Sequence, residues 1–399
     1  MSSALEYWVW LGMAFGSGNG RTDEIIRRFP NIEEFYLSGG YREISQITKG
    51  ETERLVAAKL DDAKRIIEKM HKQGITIITP DDERYPNRLR NIYGMPCVLY
   101  VDGELGDLDN ELAVAMVGTR RCSDYGYRAA NKIASELAQA GSVIVSGLAA
   151  GIDTVCHTAA LKQDRRTIAV LGCGIDKTYP LQNKTLRELI AKNGAVISEF
   201  VPGMAPYAGN FPIRNRIISG LSMGVVVVEA GERSGSLITA HVALDQGKDV
   251  FAVPNDIFNE SARGTFSLLR QGAIPVSSGL DVLEEYRYRF AGTIKLEKLQ
   301  SAPNTKNKTS PAVVQTSLMN KAPLEEPELT VQERAPKPDL EGVTGDALLV
   351  YHLLTNVPMH TEEISIKLQK PINQVLTALT ELEIMGLVSA HSGKRYKRI

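Results

Sequence analysis

The segment FPIRNRIISGLSMGVVVVEAGERSGSLITAHVALDQGKDVFAVP, residues 211–254, reads as helix, buried strand, glycine–serine loop, helix and buried strand. Ile213, Ile217 and Leu221 recur at helical spacing and form one apolar stripe. Gly224 opens the unbroken apolar run 225–228, the pattern of a parallel strand covered on both faces. Small residues fill 230–236, a second helical pattern occupies 237–246, and 248–253 supply another strand ended by Pro254. Polar residues gather at the turns: Arg214, Asn215 and Arg216 at one, Glu229, Ser234, Gly235 and Ser236 at the other. Open α/β sheets bind ligands in the loops at their strand carboxyl ends, so this segment predicts core and site together.

Outward from it, the same alternation runs over 112–285. Strands are expected at 113–117, 142–145, 167–171, 195–197, 225–228 and 249–253, with helices at 126–140, 152–162, 181–192, 213–221 and 237–246. Strand–helix alternation of this length predicts an α/β fold with a Rossmann-like, doubly wound parallel sheet and right-handed crossovers. Residues 73–111 read as a connector with short strands, giving a domain over 73–290. Residues 1–72 read as an N-terminal helical domain. Its turn GSGNGRT (16–22) is either a helix-hairpin-helix that offers backbone N–H groups to phosphates or a plain packing turn. Proline-scattered, aperiodic sequence over 291–343 predicts a disordered linker. Helical periods and a terminal hairpin over 344–399 predict a C-terminal winged-helix domain with a basic wing, Lys394, Arg395, Lys397 and Arg398. Glu381 and Glu383 on its second helical segment leave duplex binding and protein binding both open.

Composition excludes several classes. The 399 residues are 43% hydrophobic and 23% charged, with a formal net charge of -1, so nucleic-acid affinity must come from a local patch. Cys97, Cys122, Cys156 and Cys173 contain no CxxC pair, which argues against a zinc knuckle or a disulfide framework. No apolar run reaches the ~20 residues that span a bilayer, and no basic leader precedes a signal-type stretch; a cytoplasmic protein is expected.

Four loops follow strand ends. MVGTRRCSDYG (116–126) has Gly118 for close backbone approach and Arg120 for anion contact. SGLAAGID (146–153) frees its backbone at Gly147 and Gly151 but lacks the GxGxxG order of a dinucleotide fingerprint. GCGIDKTYP (172–180) carries Lys177. ERSGSLITA (232–240) aims amides and a helix dipole at whatever anion sits before it. No GxxxxGK[ST] occurs, which disfavours an ATP-hydrolysing machine. Asp153, Asp176, Glu199 and Glu229 fall near strand ends, where catalysis, capping and arginine pairing are all open to them. If 214–216 is helical, Arg214 and Arg216 point about 200° apart, so at most one faces a ligand. Phe211 is either a plug in the core or a stacking platform. Aromatic rings beside cations are what a single nucleic-acid strand requires.

The ordered strings GTR (118–120), SGLAAGID, GCGIDKTYP, FPIRNRIISGLS (211–222), EAGERSGSLITA (229–240) and VFAVP (250–254) resemble the DprA/Smf DNA-processing family. The resemblance covers nearly all of 112–285. It extends to an N-terminal domain of the sterile-alpha-motif or helix-hairpin-helix kind and to an optional winged helix. It implies a dimeric protein that binds single-stranded DNA without base specificity, protects incoming strands during natural transformation and loads RecA recombinase onto them. It implies no catalysis and no cofactor. Carried over by motif, Arg120 grips phosphate and Lys177 extends the basic pocket. Phe211, Arg214, Asn215 and Arg216 line the strand path, and Ser234, Gly235 and Ser236 form a phosphate cradle, with Gly118 and Gly147 giving backbone access. The competing reading is a Rossmann-like enzyme that binds or hydrolyses nucleotides, with Glu229 as its critical carboxylate.

Overall fold

The computed structural model describes residues 4–29, 31–44, 47–297, 343–391 and 394–399, and divides into two compact units, Met1–Gln300 and Ser301–Ile399. The first unit begins with five helices, α1 (Leu5–Phe15), α2 (Arg21–Arg28), α3 (Ile32–Leu37), α4 (Lys49–Ala57) and α5 (Leu60–Lys72). Strands β1 (Thr76–Ile78) and β2 (Leu99–Gly103) follow. The alternating part then runs β3 (Ala113–Val117), α6 (Asp124–Gln139), β4 (Val143–Ser146), α7 (Ile152–Lys162), β5 (Thr167–Val170), α8 (Lys184–Asn193), β6 (Ala195–Ser198), α9 (Asn210–Leu221), β7 (Gly224–Val227), α10 (Gly235–Asp245) and β8 (Asp249–Ala252). It closes with α11 (Arg263–Arg270), β9 (Ile274–Pro275) and α12 (Gly279–Tyr286).

All nine strands form one sheet in the order β1-β2-β6-β5-β4-β3-β7-β8-β9. From β6 to β9 every pairing is parallel, as the apolar runs predict. The expected connector is part of the sheet: β2 pairs antiparallel with β6, and β1 with β2. Alternation along each strand distributes side chains between two faces. Ala113, Ala115 and Val117 face α9 and α10 with Ile217, Leu221 and Ala243. Val114 and Met116 face α6, α7 and α12 with Ile133, Leu137 and Val282. Farther along that second face, Tyr100, Ala169 and Val196 pack against Trp8, Leu11 and Met70 of the N-terminal helices. The glycine-rich turn is also used internally, because the Gly18 N–H donates to Glu199 at 3.3 Å.

Two departures from the expected boundaries change what the chain packs together. Helix α9 starts at Asn210 rather than 213, so Phe211 lies inside its first turn. Pro212 is tolerated there because first-turn N–H groups have no partner in the helix. Residues 291–297 of the expected linker are ordered onto the sheet: Ile294 and Leu296 pack beneath it, and the Lys295 N–H donates to Ala140 O at 2.9 Å. The rest of that linker, 298–342, lies outside the described residues.

The second unit has helices α13 (Gly345–Leu353), α14 (Thr361–Leu368) and α15 (Ile372–Ile384) with strands β10 (Met359–His360), β11 (Val388–His391) and β12 (Arg395–Arg398). The strands order β10-β12-β11, all antiparallel, beside a core of Val350, Ile364, Leu379 and Leu382. This is a winged helix. Its α15 carries no lysine or arginine. Of the wing cations, Arg398 is engaged internally, its Nε donating to Leu354 O at 3.0 Å. Among the described residues of either unit, no helix is long and apolar enough to cross a membrane.

Candidate nucleic-acid interface

The chain builds the sheet from β3 outward to β6, returns, and continues from β7 on the other side of β3. At such a reversal the loops leaving neighbouring strands diverge and open a crevice at their carboxyl ends. Here a cavity of about 220 Å³ lies between the loop after β3 and the start of α10, with α9 forming one wall. Gly118 and Arg120 come from the first loop, Phe211, Arg214 and Asn215 from α9, and Ser234, Gly235 and Ser236 from the third element. Asp153 at the start of α7 closes the rear.

Each contribution has a local cause. At Gly118 an added Cβ would meet Ile152 at 2.6 Å and the Glu229 carbonyl at 2.9 Å, so only glycine permits this crossing. The Thr119 N–H donates to Glu229 O at 2.7 Å, and Ile152 N–H to Thr119 O at 3.2 Å, which fixes the loop bearing Arg120. Ser234 caps α10 by accepting the Ser236 N–H, and its hydroxyl lies 2.8 Å from that of Ser236. The exposed Gly235 stands at the positive end of an eleven-residue helix.

Phe211 is half-buried and surrounded by charge. The Arg120 guanidinium lies 5.0 Å from its ring centroid and that of Arg214 lies 5.8 Å away, both within cation–π range. Arg120 is exposed, whereas Arg214 is 5% exposed. Arg214 Nη1 donates to Gly147 O at 2.8 Å and also to Val170 O, and its Nε donates to Asn215 Oδ1 at 3.2 Å. Burial pushes its guanidinium down to about 10, with Arg120 adding to the shift and Asp153 opposing it. It therefore stays cationic at neutral pH. Burial likewise pushes the Asp153 carboxyl up, against Arg214 and the loop amides. Its Oδ2 accepts the Gly147 and Ala149 N–H groups at 3.1 and 3.3 Å.

Of the residues expected at the site, eight share this cavity: Gly118, Arg120, Phe211, Arg214, Asn215, Ser234, Gly235 and Ser236. Gly147 lines an adjoining cavity that shares Arg120 and Phe211 with the first. Lys177 lines neither and is exposed on the 172–180 loop. Arg216 faces away, as the helical angle requires. Its Nη2 donates to Glu199 Oε1 and to Gly94 O, both at 2.6 Å. Sequence reasoning passed over Tyr179, whose ring centroid is 5.7 Å from that of Phe211 in the adjoining cavity.

The four strand-end carboxylates are already engaged. Asp153 holds the 147–149 amides, and Asp176 accepts from Lys69 Nζ at 2.8 Å and from the Gly203 N–H at 2.6 Å. Glu199 pairs with Arg216, and the wholly buried Glu229 accepts from Ser123 N–H, Asn259 and Ser261. Among the described residues, no three His, Cys, Asp or Glu side chains form a group that could hold a metal ion.

Comparisons with known proteins identify the family of the chain. Residues 76–287 match the profile of the family described as DNA recombination-mediator protein A, and residues 334–394 match that of the DprA winged helix domain. The chain is 43% identical over 221 residues to the DNA processing protein DprA of Bacillus subtilis, covering 55% of this chain and 74% of that protein. It is 37% identical over 346 residues to Protein Smf of Synechocystis sp., covering 84% and 83%. It is also similar to the X-ray structure of DNA processing protein A from Streptococcus pneumoniae, with a TM-score of 0.63 and 38% identity over 69% of this chain and 95% of the other.

Proposed function

Because the chain belongs to the DNA recombination-mediator protein A family, DprA/Smf, we propose that its sheet-end cleft binds single-stranded DNA without reading base identity. In this reading the protein covers incoming strands in the cytoplasm during natural transformation and, as a homodimer, hands them to the RecA recombinase. The observation that carries it is the Arg120–Phe211–Arg214 stack beside the start of α10. Two cations and a helix N-terminus suit the phosphate trace, and an accessible ring suits a base face. Arg120, Arg214 and the Gly235 N–H are the proposed phosphate contacts, since the Ser234 and Ser236 N–H groups donate to Gly231 O and Ser234 Oγ. Phe211 is the stacking contact, and Lys177 an outer cation met by the strand as it leaves. Asn215 shares the wall. Arg216 supports that wall from behind through Glu199.

The role is binding rather than turnover. Glu229, which the nucleotide-hydrolase reading needs, is wholly buried and hydrogen-bonded within the fold. The reading is tested by titrating the full-length protein with single-stranded and duplex oligonucleotides across a salt series. Single strands are expected to bind more tightly, with log K falling linearly in log salt. Equal affinity for both forms, or no binding at low salt, would overturn it.

A further inference from the structure

The adjoining cavity has a floor of small residues and two aromatic walls. Gly147, Ala149, Ala150 and Gly172 leave the floor low, while Tyr179 and Phe211 stand over it at 5.7 Å between centroids. Gly172 is required for this: a Cβ there would meet Phe211 at 2.8 Å. Arg120 lies at the lip shared with the larger cavity, so the two are consecutive stations around one phenyl ring. Tyr179 is 38% exposed and belongs to none of the four hydrophobic clusters. An aromatic ring kept half in water, facing another ring across a glycine floor, is poorly explained as core packing.

The loop that carries Tyr179 is held from outside. Asp176, three residues earlier, accepts from Lys69 of α5 and from the Gly203 N–H through its two oxygens. The Gly174 N–H donates to Met204 O at 2.9 Å, and Arg187 donates to Ile175 O at 2.9 Å. The N-terminal helices and the 201–204 turn thus fix where Tyr179 stands.

We propose that Tyr179 is a nucleobase-stacking residue, forming with Phe211 a second station for the strand, and that Asp176 is the positioning residue that sets its place. This rests on the single-strand reading of the larger cavity. One base leaves the phosphates near Arg120 and lays its face on Tyr179, in the sequence-tolerant manner of aromatic platforms.

The test uses the full-length protein with a twenty-nucleotide oligothymidine and the same backbone made abasic at its centre. The unaltered protein is expected to prefer the oligonucleotide with bases. Tyr179→Ala should weaken oligothymidine binding roughly 5- to 20-fold and narrow that preference, with the salt slope unchanged, while Tyr179→Phe keeps both. Asp176→Asn removes a negative charge, which by itself would tighten DNA binding, so weaker binding with a narrowed preference identifies positioning. The proposal is overturned if Tyr179→Ala leaves affinity and preference intact, or weakens both oligonucleotides equally. Absence of single-strand binding by the unaltered protein sinks the cleft reading itself, a result distinct from either.

Discussion

Arg216 and Glu199 form an ion pair at 2.6 Å, both side chains under a tenth exposed, with the N–H of Gly18 donating to the same carboxylate oxygen. The pair joins α9 to the end of β6 and to the glycine-rich turn between α1 and α2. Removing one member of a buried pair strands the other charge in a poorly solvating site. Arg216→Ala is therefore expected to cost about 3–5 kcal/mol in urea unfolding. The salt slope of DNA binding should be unchanged in the fraction that stays folded. A stable Arg216→Ala protein with a reduced slope would instead assign Arg216 to the strand.

Arg120 is the converse case. It is exposed and engages Phe211 through its ring face. Arg120→Ala should leave the midpoint of thermal unfolding nearly unaltered, weaken single-strand binding, and lower the slope of log K against log salt by roughly 0.7–1. An unchanged slope removes Arg120 from the phosphate path.

Gly147 has a specific neighbour. An added Cβ would lie 2.5 Å from Arg214 Nη1 and Nη2, and the guanidinium is tied to the carbonyls of Gly147 and Val170. It has little room to yield. Gly147→Ala is expected to reduce stability and to weaken single-strand binding more than tenfold, with Arg214 displaced from the cavity wall. Retention of wild-type affinity would show that Arg214 tolerates displacement.

A pH effect follows from the start of α4. Thr48 and Glu51 form a reciprocal cap, with the Thr48 N–H and hydroxyl both 2.8 Å from Glu51 Oε2. Burial by itself raises the Glu51 carboxyl, but the Thr48 and Asn19 hydrogen bonds and the Arg21 charge outweigh it and hold it at about 2. A carboxyl lowered in the folded state stabilises above its unfolded value and loses that contribution as pH falls through its folded one. Thermal stability should thus decline between the ordinary value of 4.5 and about 2. Glu51→Gln should be less stable at neutral pH and flatter across that window. Parallel pH profiles for the two proteins would refute the assignment.

The parallel strands were legible because each is a short apolar run between turn residues, a signal that burial on both faces imposes on sequence. The opposition of Arg214 and Arg216 was legible too, since helical geometry alone separates them. Strands β1 and β2 were expected as short strands of a connector, but their place in the sheet was not legible, because three- and five-residue pieces carry no signal of the strand they pair with. Helices α11 and α12 are eight residues each, too short for a clear helical period, and no element was expected between Pro254 and the end of the domain at 290. At the site, glycine and serine spacing marked the loops, whereas Tyr179 was hidden because its importance lies in a distance to Phe211. Sequence spacing does not encode a contact across 32 positions.

Trp8 and Leu11 share one cluster with Ala169 and Val196 of the central sheet. A helical segment that lends its tryptophan to the sheet cannot be cut away as a passenger. Deleting residues 1–72 would uncover the apolar face of β5 and β6 and release Asp176 from Lys69. The shortened protein should be recovered as aggregate. In limited proteolysis of the whole chain, the connection between α5 and β1 should be cut no faster than the sheet itself opens, the outcome expected of helices and sheet that share one hydrophobic cluster.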